Sequence, residues 1–299
     1  MFSALRYLTE ERSFLNKKLL LLIAFVRSQS WAQLFAIIRR SACQDIGGDR
    51  LIIRLPGLFG PKGTVVAVPR DREIFTRFQK YAAWCPSVSL FLAKSFRKNG
   101  VLLLDLGAHA GLISLQTQRL SLNTQNRIVC VEAIPRNADA LRFNMAKLNC
   151  KIITKVMNVE SNEVKFYVDE SNFGNSSVSR KVAGKTEVHE LFLPSITAQE
   201  IESVVGSTKI VLKSDLQGFD AHGLSLFSET FWNRVERGVV EVLASPNIQK
   251  KHAVKTCSYI GKFKNIAWSP FGIKRVTESE LLQFWISKSG QERDVYFWN

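Results

Sequence analysis

Three short segments combine residue types suited to chemistry with a place directly after an apolar run. The first, residues 105–111, reads DLGAHAG. Its glycines allow a tight turn and a close approach of the backbone to a ligand. His109 stands where a dinucleotide fingerprint has glycine, so the wider spacing of Gly107 and Gly111 favours a ligand without phosphates, such as S-adenosylmethionine. Asp105 can fix this loop or accept a hydrogen bond from a ligand amine.

An acidic residue, Glu132, ends the second apolar run, residues 128–131, and follows Gly107 by 25 residues. A nucleoside ribose presents its hydroxyls at this place in open α/β sheets, and a carboxylate can accept hydrogen bonds from both. A solvated surface glutamate is the alternative interpretation. Taken together with the glycine segment, Glu132 predicts a nucleoside-cofactor site.

Lys213 and Asp215 follow a third apolar strand, residues 208–212, and Glu241 ends the next one. Asp215 could take a proton from a hydroxyl, orient that hydroxyl or hold a metal, and Lys213 could keep Asp215 ionised. A structural ion pair explains the same two residues equally well. Two carboxylates are too few oxygen ligands to indicate a metal site, and we predict none.

The elements that must position these residues alternate between strand and helix. We expect strands at 101–104, 127–132, 210–212 and 238–242, and helices at 112–121, 135–148, 196–205 and 220–230. Such alternation is typical of an open, doubly wound, mostly parallel sheet with helices on both faces. Ligands bind such sheets beyond the carboxyl ends of the strands, which is where all three segments fall.

The part before residue 100 has a different pattern, and we divide the chain into 1–45, 46–99 and 100–299. Apolar residues at helical spacing indicate two helices within 2–40. A hairpin followed by two helices is expected over 46–99. We expect its strands at 51–53 and 64–68 and its helices at 71–82 and 87–97. The polar segment 169–190 is interpreted as a loop, and the aromatic-rich tail is expected to end in a strand at 294–298.

The net charge of +15 is concentrated in the first third of the chain. Residues 1–99 hold 17 basic and 6 acidic side chains, whereas residues 100–299 hold 24 and 20. We therefore expect any contact with a membrane surface or an anionic polymer to involve residues 1–99, although solubility alone would also explain the charge.

The apolar run 19–26 is too short to cross a bilayer and precedes no cleavage-site pattern. Five cysteines without a C-x-x-C pair indicate a reducing, cytoplasmic compartment.

The order of these motifs is similar to that of the FkbM-type S-adenosylmethionine-dependent methyltransferase family. Residues 105–111 (D-x-G-x-x-x-G), 131–137 (V-E-A-x-P-x-N) and 213–218 (K-x-D-x-x-G) carry the resemblance, followed by the strand that ends in Glu241, and the match covers about residues 65–245. The resemblance implies a Rossmann-like methyltransferase fold, S-adenosylmethionine as cofactor and methyl transfer, usually to a hydroxyl oxygen.

What the resemblance implies for single residues can be stated position by position. Gly107, Gly111 and Glu132 fall on the cofactor positions, and Asp215 falls on the motif near the acceptor. The sequence departs from the family where Gln217 replaces the usual glutamate; other departures are His109, Ala133 and Ser214. If the missing acid takes part in catalysis, the acceptor or the activity is altered.

The resulting hypothesis is an S-adenosylmethionine-dependent O-methyltransferase acting on a carbohydrate, a glycolipid or another small acceptor. Asp215 is the expected base or orienter. Lys213 and Glu241 are expected to support it, and the expected cofactor residues are Asp105, Gly107, His109, Gly111 and Glu132. His109 is also an outside candidate for the base, with packing in its loop as the alternative. Two rival hypotheses remain open: an RNA or DNA methyltransferase that uses the basic N-terminal third, and a catalytically degenerate basic adaptor at a membrane surface.

Overall fold

The structure is a computed structural model, and the part of the chain that it describes is discontinuous. It comprises residues 43–45, 50–54, 65–69, 84–160, 162–169, 176–180, 188–245, 248–287 and 289–299. The helices predicted within 2–40 and at 71–82 lie outside these residues, and so do 170–175 and 181–187 of the predicted loop.

The first three strands form a small antiparallel sheet. They are β1 (Cys43–Asp45), β2 (Arg50–Arg54) and β3 (Val65–Pro69), in the order β1-β2-β3. The predicted hairpin is therefore confirmed, because β2 contains the expected strand 51–53, β3 contains 65–68 of the expected strand 64–68, and the two pair antiparallel. Strand β1 was not predicted; its three residues are too few to show a period.

A seven-stranded sheet forms the centre of the fold, in the order β12-β13-β11-β10-β4-β5-β6. The remaining strands are β4 (Val101–Leu106), β5 (Ile128–Val131), β6 (Cys150–Ile153), β7 (Val156–Met157), β8 (Glu163–Asp169), β9 (Val188–Ile196), β10 (Lys209–Ser214), β11 (Val235–Leu243), β12 (Asn265–Ala267) and β13 (Glu292–Trp298). Strands β6, β5, β4, β10 and β11 pair in parallel, and β13 runs antiparallel to β11 and β12. The predicted doubly wound, mostly parallel sheet is confirmed.

Helices cover both faces of this sheet. They are α1 (Pro86–Phe96), α2 (Leu112–Ser121), α3 (Pro135–Met145), α4 (Ala198–Val205), α5 (Asp220–Ser225), α6 (Glu229–Trp232), α7 (Lys250–Ile260) and α8 (Glu278–Trp285). Helices α1 to α3 pack on one face and α4 to α8 on the other. Strand β4 is buried along its whole length and feeds both cores, with Leu103 on the first face and Leu102 and Leu104 on the second. None of the helices within the described ranges is long and apolar enough to cross a bilayer.

The structure corrects one predicted helix, adds two helices and shortens the predicted polar loop. The single helix expected at 220–230 is two helices, because the Ser228 hydroxyl accepts a hydrogen bond from the Phe231 N–H and so begins α6 separately. Helices α7 and α8 in the tail were not predicted. The last three residues of the predicted polar loop, 188–190, belong to strand β9.

The crossover from β6 back to the centre of the sheet contains a second small sheet, in the order β7-β9-β8. Strands β8 and β9 pair antiparallel over seven positions, and β7 pairs in parallel with the end of β9. Because the chain moves outward from β4 to β6 and then returns to β10 on the other side of β4, the strand order reverses between β4 and β10. A ligand crevice is expected at that point.

Candidate functional site

A cavity of about 420 Å³ lies at the carboxyl ends of β4, β5, β10 and β11. This volume falls in the range of small-molecule sites. Six of the eight residues singled out from the sequence line it, whereas Asp105 and Gly111 do not. The six lining residues are Gly107, His109, Glu132, Lys213, Asp215 and Glu241.

Gly107 allows the loop after β4 to touch the loop after β10. Its φ is +72°, and a Cβ atom built there would lie 1.9 Å from the carbonyl oxygen of Asp215. The N–H groups of Gly107 and Ala108 both donate to the Val131 carbonyl, at 2.9 and 3.0 Å. The glycine therefore serves close backbone packing, which keeps Asp215 next to the loop.

Gly111 serves helix packing. Its φ is +74°, and a Cβ atom there would lie 2.3 Å from Leu141 Cδ1 and 2.7 Å from Met145 Cε, both on α3. The Asn144 side chain, also on α3, donates to the Ala110 carbonyl at 2.7 Å. Helix α3 thus supports the glycine loop from behind, and Gly111 lets it come close.

Glu132 follows β5 and is 6% exposed. Its Oε2 accepts from the His109 N–H at 2.8 Å, and its Oε1 accepts from the Ile134 N–H at 3.0 Å and from Asn137 Nδ2 at 3.1 Å. Burial raises the pKa of Glu132, and the three donors oppose that shift. A carboxylate has about four acceptor positions, so one remains for a hydroxyl in the cavity.

Lys213 forms a buried ion pair with Asp105, its direct neighbour in the parallel β4–β10 ladder. Its Nζ lies 3.3 Å from Asp105 Oδ1 and 3.5 Å from Asp215 Oδ2, and it donates to the Gly107 carbonyl at 2.7 Å. Burial alone would lower the pKa of Lys213, but Asp105, Asp215 and Glu241 raise it above its ordinary value. Lys213 is therefore a fixed cation that joins the two loops.

Asp215 is the partly exposed carboxylate of the site, with its side chain 34% exposed. Burial would raise its pKa, but Lys213 and the hydrogen bonds from Glu241 and Gln217 hold the pKa below its ordinary value. The Gln217 amide Nε2 donates to Asp215 Oδ1 at 2.8 Å and to Glu241 Oε2 at 3.0 Å. Gln217, which stands where the family that the motifs resemble usually has glutamate, therefore bridges the two carboxylates.

Asp294 extends this group of carboxylates, and the sequence reasoning missed it. It lies directly opposite Glu241 in the antiparallel β11–β13 ladder and accepts a hydrogen bond from the Tyr296 hydroxyl at 3.0 Å. Burial and Asp215 raise the pKa of Glu241 well above its ordinary value, and burial raises the pKa of Asp294 to about 6. Glu292 also lines the cavity, and burial raises its pKa too. An antiparallel strand pairing in unknown register could not be deduced from spacing.

Asp220, at the start of α5, anchors the loop that carries Asp215. It is 1% exposed and accepts from the Ser214 hydroxyl at 2.5 Å and from the Leu216 N–H at 3.0 and 3.1 Å. Burial, reinforced by Asp215, raises the pKa of Asp220 to about 7. The sequence reasoning missed this role, although a serine six residues before an acid at a helix start is compatible with it.

His109 is the one imidazole that lines the cavity among the described residues. Its φ is +51°, and its Nε2 atom is shielded from solvent and has no hydrogen-bond partner within the described protein. Burial, reinforced by Lys213, lowers the pKa of His109 to about 4, so the ring is neutral near pH 7. A neutral imidazole can offer one hydrogen bond to a molecule in the cavity.

The arrangement suits the deprotonation or orientation of a small molecule. In the described parts of the chain, no group of three histidine, cysteine or acidic side chains has the arrangement of a metal site. Asp215 is an ionised acceptor at the cavity surface, with Lys213 fixed beneath it, while Glu132 lies at the neighbouring strand end. One end of the cavity can bind hydroxyls and the other can accept a proton.

No protein-family model and no curated protein matches this sequence. Three solved structures give a measure of the similarity in fold. Fibrillarin from Aeropyrum pernix with bound S-adenosyl-L-methionine is 12% identical, with 86% of this chain and 96% of that chain covered and a TM-score of 0.38. A TehB-like methyltransferase from Corynebacterium glutamicum is 10% identical (76% and 95% covered, TM-score 0.39), and the precorrin-6y C5,15-methyltransferase from Geobacter metallireducens is also 10% identical (71% and 88%, TM-score 0.36). At these identities and TM-scores the similarity carries no argument about fold family or activity.

Proposed function

We propose that this chain is an S-adenosylmethionine-dependent methyltransferase that methylates a hydroxyl of a carbohydrate, a glycolipid or another small acceptor. The observation that carries the proposal is one cavity with Glu132 beside the glycine loop and an ionised, partly exposed Asp215 on the neighbouring strand end. The resemblance of the motifs to the FkbM-type family supports the same interpretation.

The residues at the β5 end of the cavity fit a nucleoside cofactor. Glu132 has one acceptor position left, and the neighbouring Asn137 Oδ1 is buried without a hydrogen-bond partner in the described part of the chain. Asn137 also lines the cavity. Two acceptors that lack donors match the hydroxyl groups of a ribose. Gly107 keeps the floor between this end and Asp215 free of a side chain.

The chemistry that the cofactor supplies is a methyl group on a sulfonium, which needs little activation, so the protein contributes mainly alignment. Asp215 accepts the hydrogen bond of the acceptor hydroxyl and takes its proton as the oxygen attacks. Lys213 keeps Asp215 ionised, and Gln217 fixes its orientation through the bond to Oδ1. A positioned base of this kind contributes roughly 10²–10⁴-fold to the rate.

The experiment is a comparison of cofactor affinity with turnover. Calorimetric titration with S-adenosylhomocysteine should show binding to the wild type and, within about twofold, to Asp215→Asn. Transfer of a radiolabelled methyl group to a panel of sugars and glycolipids should fall by about 10²–10⁴-fold in that variant. Asp139→Asn is the matched control, because Asp139 is an exposed aspartate paired with Arg142 on α3. Absence of cofactor binding in the wild type would reject the proposal.

We also propose a cytoplasmic location and a contact between residues 1–99 and an anionic surface, supported by the 17 basic residues in that segment. Flotation with vesicles that contain anionic lipid, compared with neutral vesicles, tests this contact. Binding to vesicles without binding of S-adenosylhomocysteine would favour the degenerate adaptor. Salt-sensitive binding to random RNA would favour the nucleic acid methyltransferase.

A further inference from the structure

The carboxyl ends of β10 and β11 and the amino end of the antiparallel strand β13 place three carboxylates side by side. Asp215 continues β10 two residues after Lys213, which pairs with Val239, and Glu241 pairs with Asp294. Side chains two residues apart in a strand share a face, so Asp215, Glu241 and Asp294 form one row across the sheet, here called the carboxylate row. Neighbouring strands are about 4.8 Å apart, which sets the spacing of the row.

Such a row is unfavourable in the absence of a bound cation. Like charges directly opposite each other in antiparallel strands destabilise the pair, and burial adds to this. Burial, reinforced by the charge of Asp215, raises the pKa of both Glu241 and Asp294. The cavity faces all three members of the row, with Glu292 nearby.

The cations that line the cavity in the described part of the chain are engaged elsewhere or lie at the other end. Lys213 is held by Asp105 and by the Gly107 carbonyl, and in the row it pairs with Asp215 only. The Arg293 guanidinium lies over the rings of Phe284 and Trp268, at 5.1 and 5.8 Å from their centres. Lys155 immediately precedes β7, in the crossover. Within the described residues Lys213 therefore serves Asp215 alone among the members of the row, and Glu241 and Asp294 have no ion-pair partner, although the whole chain carries +15.

His109 provides a second, independent indication of a ligand in this cavity. Its Nε2 atom is sealed from solvent without a hydrogen-bond partner among the described residues, and it is close enough to Lys213 and Asp215 for both to affect its pKa. A buried imidazole nitrogen without a partner is unfavourable unless a ligand completes its hydrogen bond. A ligand with polar hydrogens can donate hydrogen bonds both to His109 Nε2 and to the carboxylates of the row.

We propose that the acceptor carries a protonated amine next to the hydroxyl that is methylated, as in an amino alcohol or an amino sugar, and that Glu241 and Asp294 bind the ammonium group. This inference rests on the proposed function. An ammonium between Glu241 and Asp294 lies roughly one and a half strand spacings, about 7 Å, from the strand that leads to Asp215. A hydroxyl a few bonds from the amine then reaches Asp215.

The binding mode also decides which atom is methylated. A protonated amine has no lone pair, so nitrogen cannot attack while the carboxylate row holds it. The hydroxyl proton passes to Asp215, the new O–C bond forms, and the C–S bond breaks with its electron pair going to sulfur. The products are a methyl ether, S-adenosylhomocysteine and a proton that Asp215 later releases to water.

The test uses matched pairs of probes that differ only in the amine: glucosamine with glucose, and 2-aminocyclohexanol with 1,2-cyclohexanediol. We expect the full-length protein, saturated with S-adenosylhomocysteine, to bind the amine of each pair at least about tenfold more tightly at neutral pH. Asp294→Asn and Glu241→Gln should each reduce this preference to less than about threefold. Glu236→Gln is the control, because Glu236 lies at the opposite end of β11, where it pairs with Lys98 and Lys209.

Several results would overturn the inference. Equal affinity for both members of each pair would do so, as would an undiminished preference in both variants once circular dichroism has shown that they are folded. Tighter binding of Mg²⁺ than of the amines, lost in the same variants, would assign the row to a metal instead. N-methylated products in mass spectra would overturn the assigned binding mode. Failure of the proposed function gives a different result, namely no binding of S-adenosylhomocysteine by the wild type. The preference for the amines can then still be measured without S-adenosylhomocysteine, so the two failures are distinguishable.

Discussion

Two glycines with nearly the same backbone angle, Gly100 and Gly107, have very different surroundings. Their φ values are +71° and +72°, but a Cβ atom at Gly100 would have no described neighbour within 4 Å, whereas one at Gly107 would lie 1.9 Å from the Asp215 carbonyl oxygen. Both positions would strain a residue with a side chain because φ is positive, but only Gly107 also lies in close contact with another backbone segment. Only the second effect concerns the site.

We predict that Gly100→Ala lowers the free energy of unfolding by about 1–2 kcal/mol, the strain of alanine at positive φ. Gly107→Ala should lower it by about 2 kcal/mol more, because the two loops must also move apart. Urea unfolding of both variants measures the difference. Gly107→Ala should also weaken binding of S-adenosylhomocysteine while Gly100→Ala does not; equal losses in the two variants would contradict close packing as the role of Gly107.

Gln217 is the residue where the chain departs from the family that its motifs resemble, and its amide bridges Asp215 and Glu241. In Gln217→Glu a third carboxylate would stand beside these two, so its pKa would be raised in the folded state. Stability is then lost as pH rises through that pKa. We expect the variant to be less stable than the wild type by about 2–3 kcal/mol at pH 8, and by less at pH 5, where a protonated carboxyl can donate.

Gln217→Met is the matched variant for this measurement, because it removes both hydrogen bonds without adding a charge. Its loss of stability should be nearly the same at the two pH values. Thermal unfolding in both buffers gives the comparison. A loss in Gln217→Glu that does not depend on pH would show that the bridge acts through shape rather than through its donors.

At the scale of elements, Asp220, the first residue of helix α5, connects that helix to the loop that carries Asp215 by accepting hydrogen bonds from Ser214 and Leu216. Asp220 has an ordinary pKa of 3.8 and a folded-state pKa of about 7, raised by burial and by Asp215 and opposed by Ser214, Leu216 and Lys213. A raised carboxyl pKa means that the folded state is progressively disfavoured as pH rises from about 4 to about 7. The full effect amounts to about 4 kcal/mol at most.

We therefore predict that Asp220→Asn becomes more stable relative to the wild type as pH rises across this range, because asparagine cannot ionise. Urea unfolding at pH 5, 6, 7 and 8 measures the difference in unfolding free energy. Ser203→Ala, on the exposed part of α4, serves as a control without an ionisable change. A stability difference that stays constant with pH would mean that Asp220 is ionised throughout.

Most elements of the sheet could be predicted because buried parallel strands are continuous apolar runs, and β4 is such a run. Helix α7 was missed although its buried positions Ala253, Thr256, Cys257 and Ile260 have helical spacing, because only Ile260 among them is a large apolar residue. Helix α8 has a signal in the sequence that the apolar spacing does not show, the capping box of Thr277 and Glu280. The bridge by Gln217 and the place of Asp294 depend on the register of separate strands, which spacing along the chain does not contain.

At the scale of the whole molecule, the charge of the cavity opposes the charge of the chain. The net charge is +15, yet the carboxylate row is acidic and faces the cavity. Salt screens interactions between exposed charges over about 10 Å at 0.1 M, and buried pairs much less. Contacts of the basic residues and contacts of the row should therefore respond differently to salt.

We predict that binding of an amine probe to the row changes by less than about threefold between about 0.05 and 0.5 M NaCl, because screening also removes the repulsion from the excess basic charge. Binding of vesicles with anionic lipid should weaken strongly over the same range. Calorimetry and flotation measure the two. A parallel loss of both would place the amine on the exposed surface instead of in the cavity.

The small sheet in the crossover, formed by β7, β8 and β9, limits how this segment can be exchanged in a chimaera with a related chain. The Ser177 hydroxyl, which this crossover contributes, donates to the main-chain carbonyl of Gln217 at 2.8 Å. Ser177 is also joined to β8 by two backbone hydrogen bonds with Tyr167. A graft that replaced the crossover to change the acceptor would thus also change the support of the residue that bridges the carboxylates. Such a chimaera has to keep a hydroxyl at position 177, or its altered specificity will come with an altered proton acceptor.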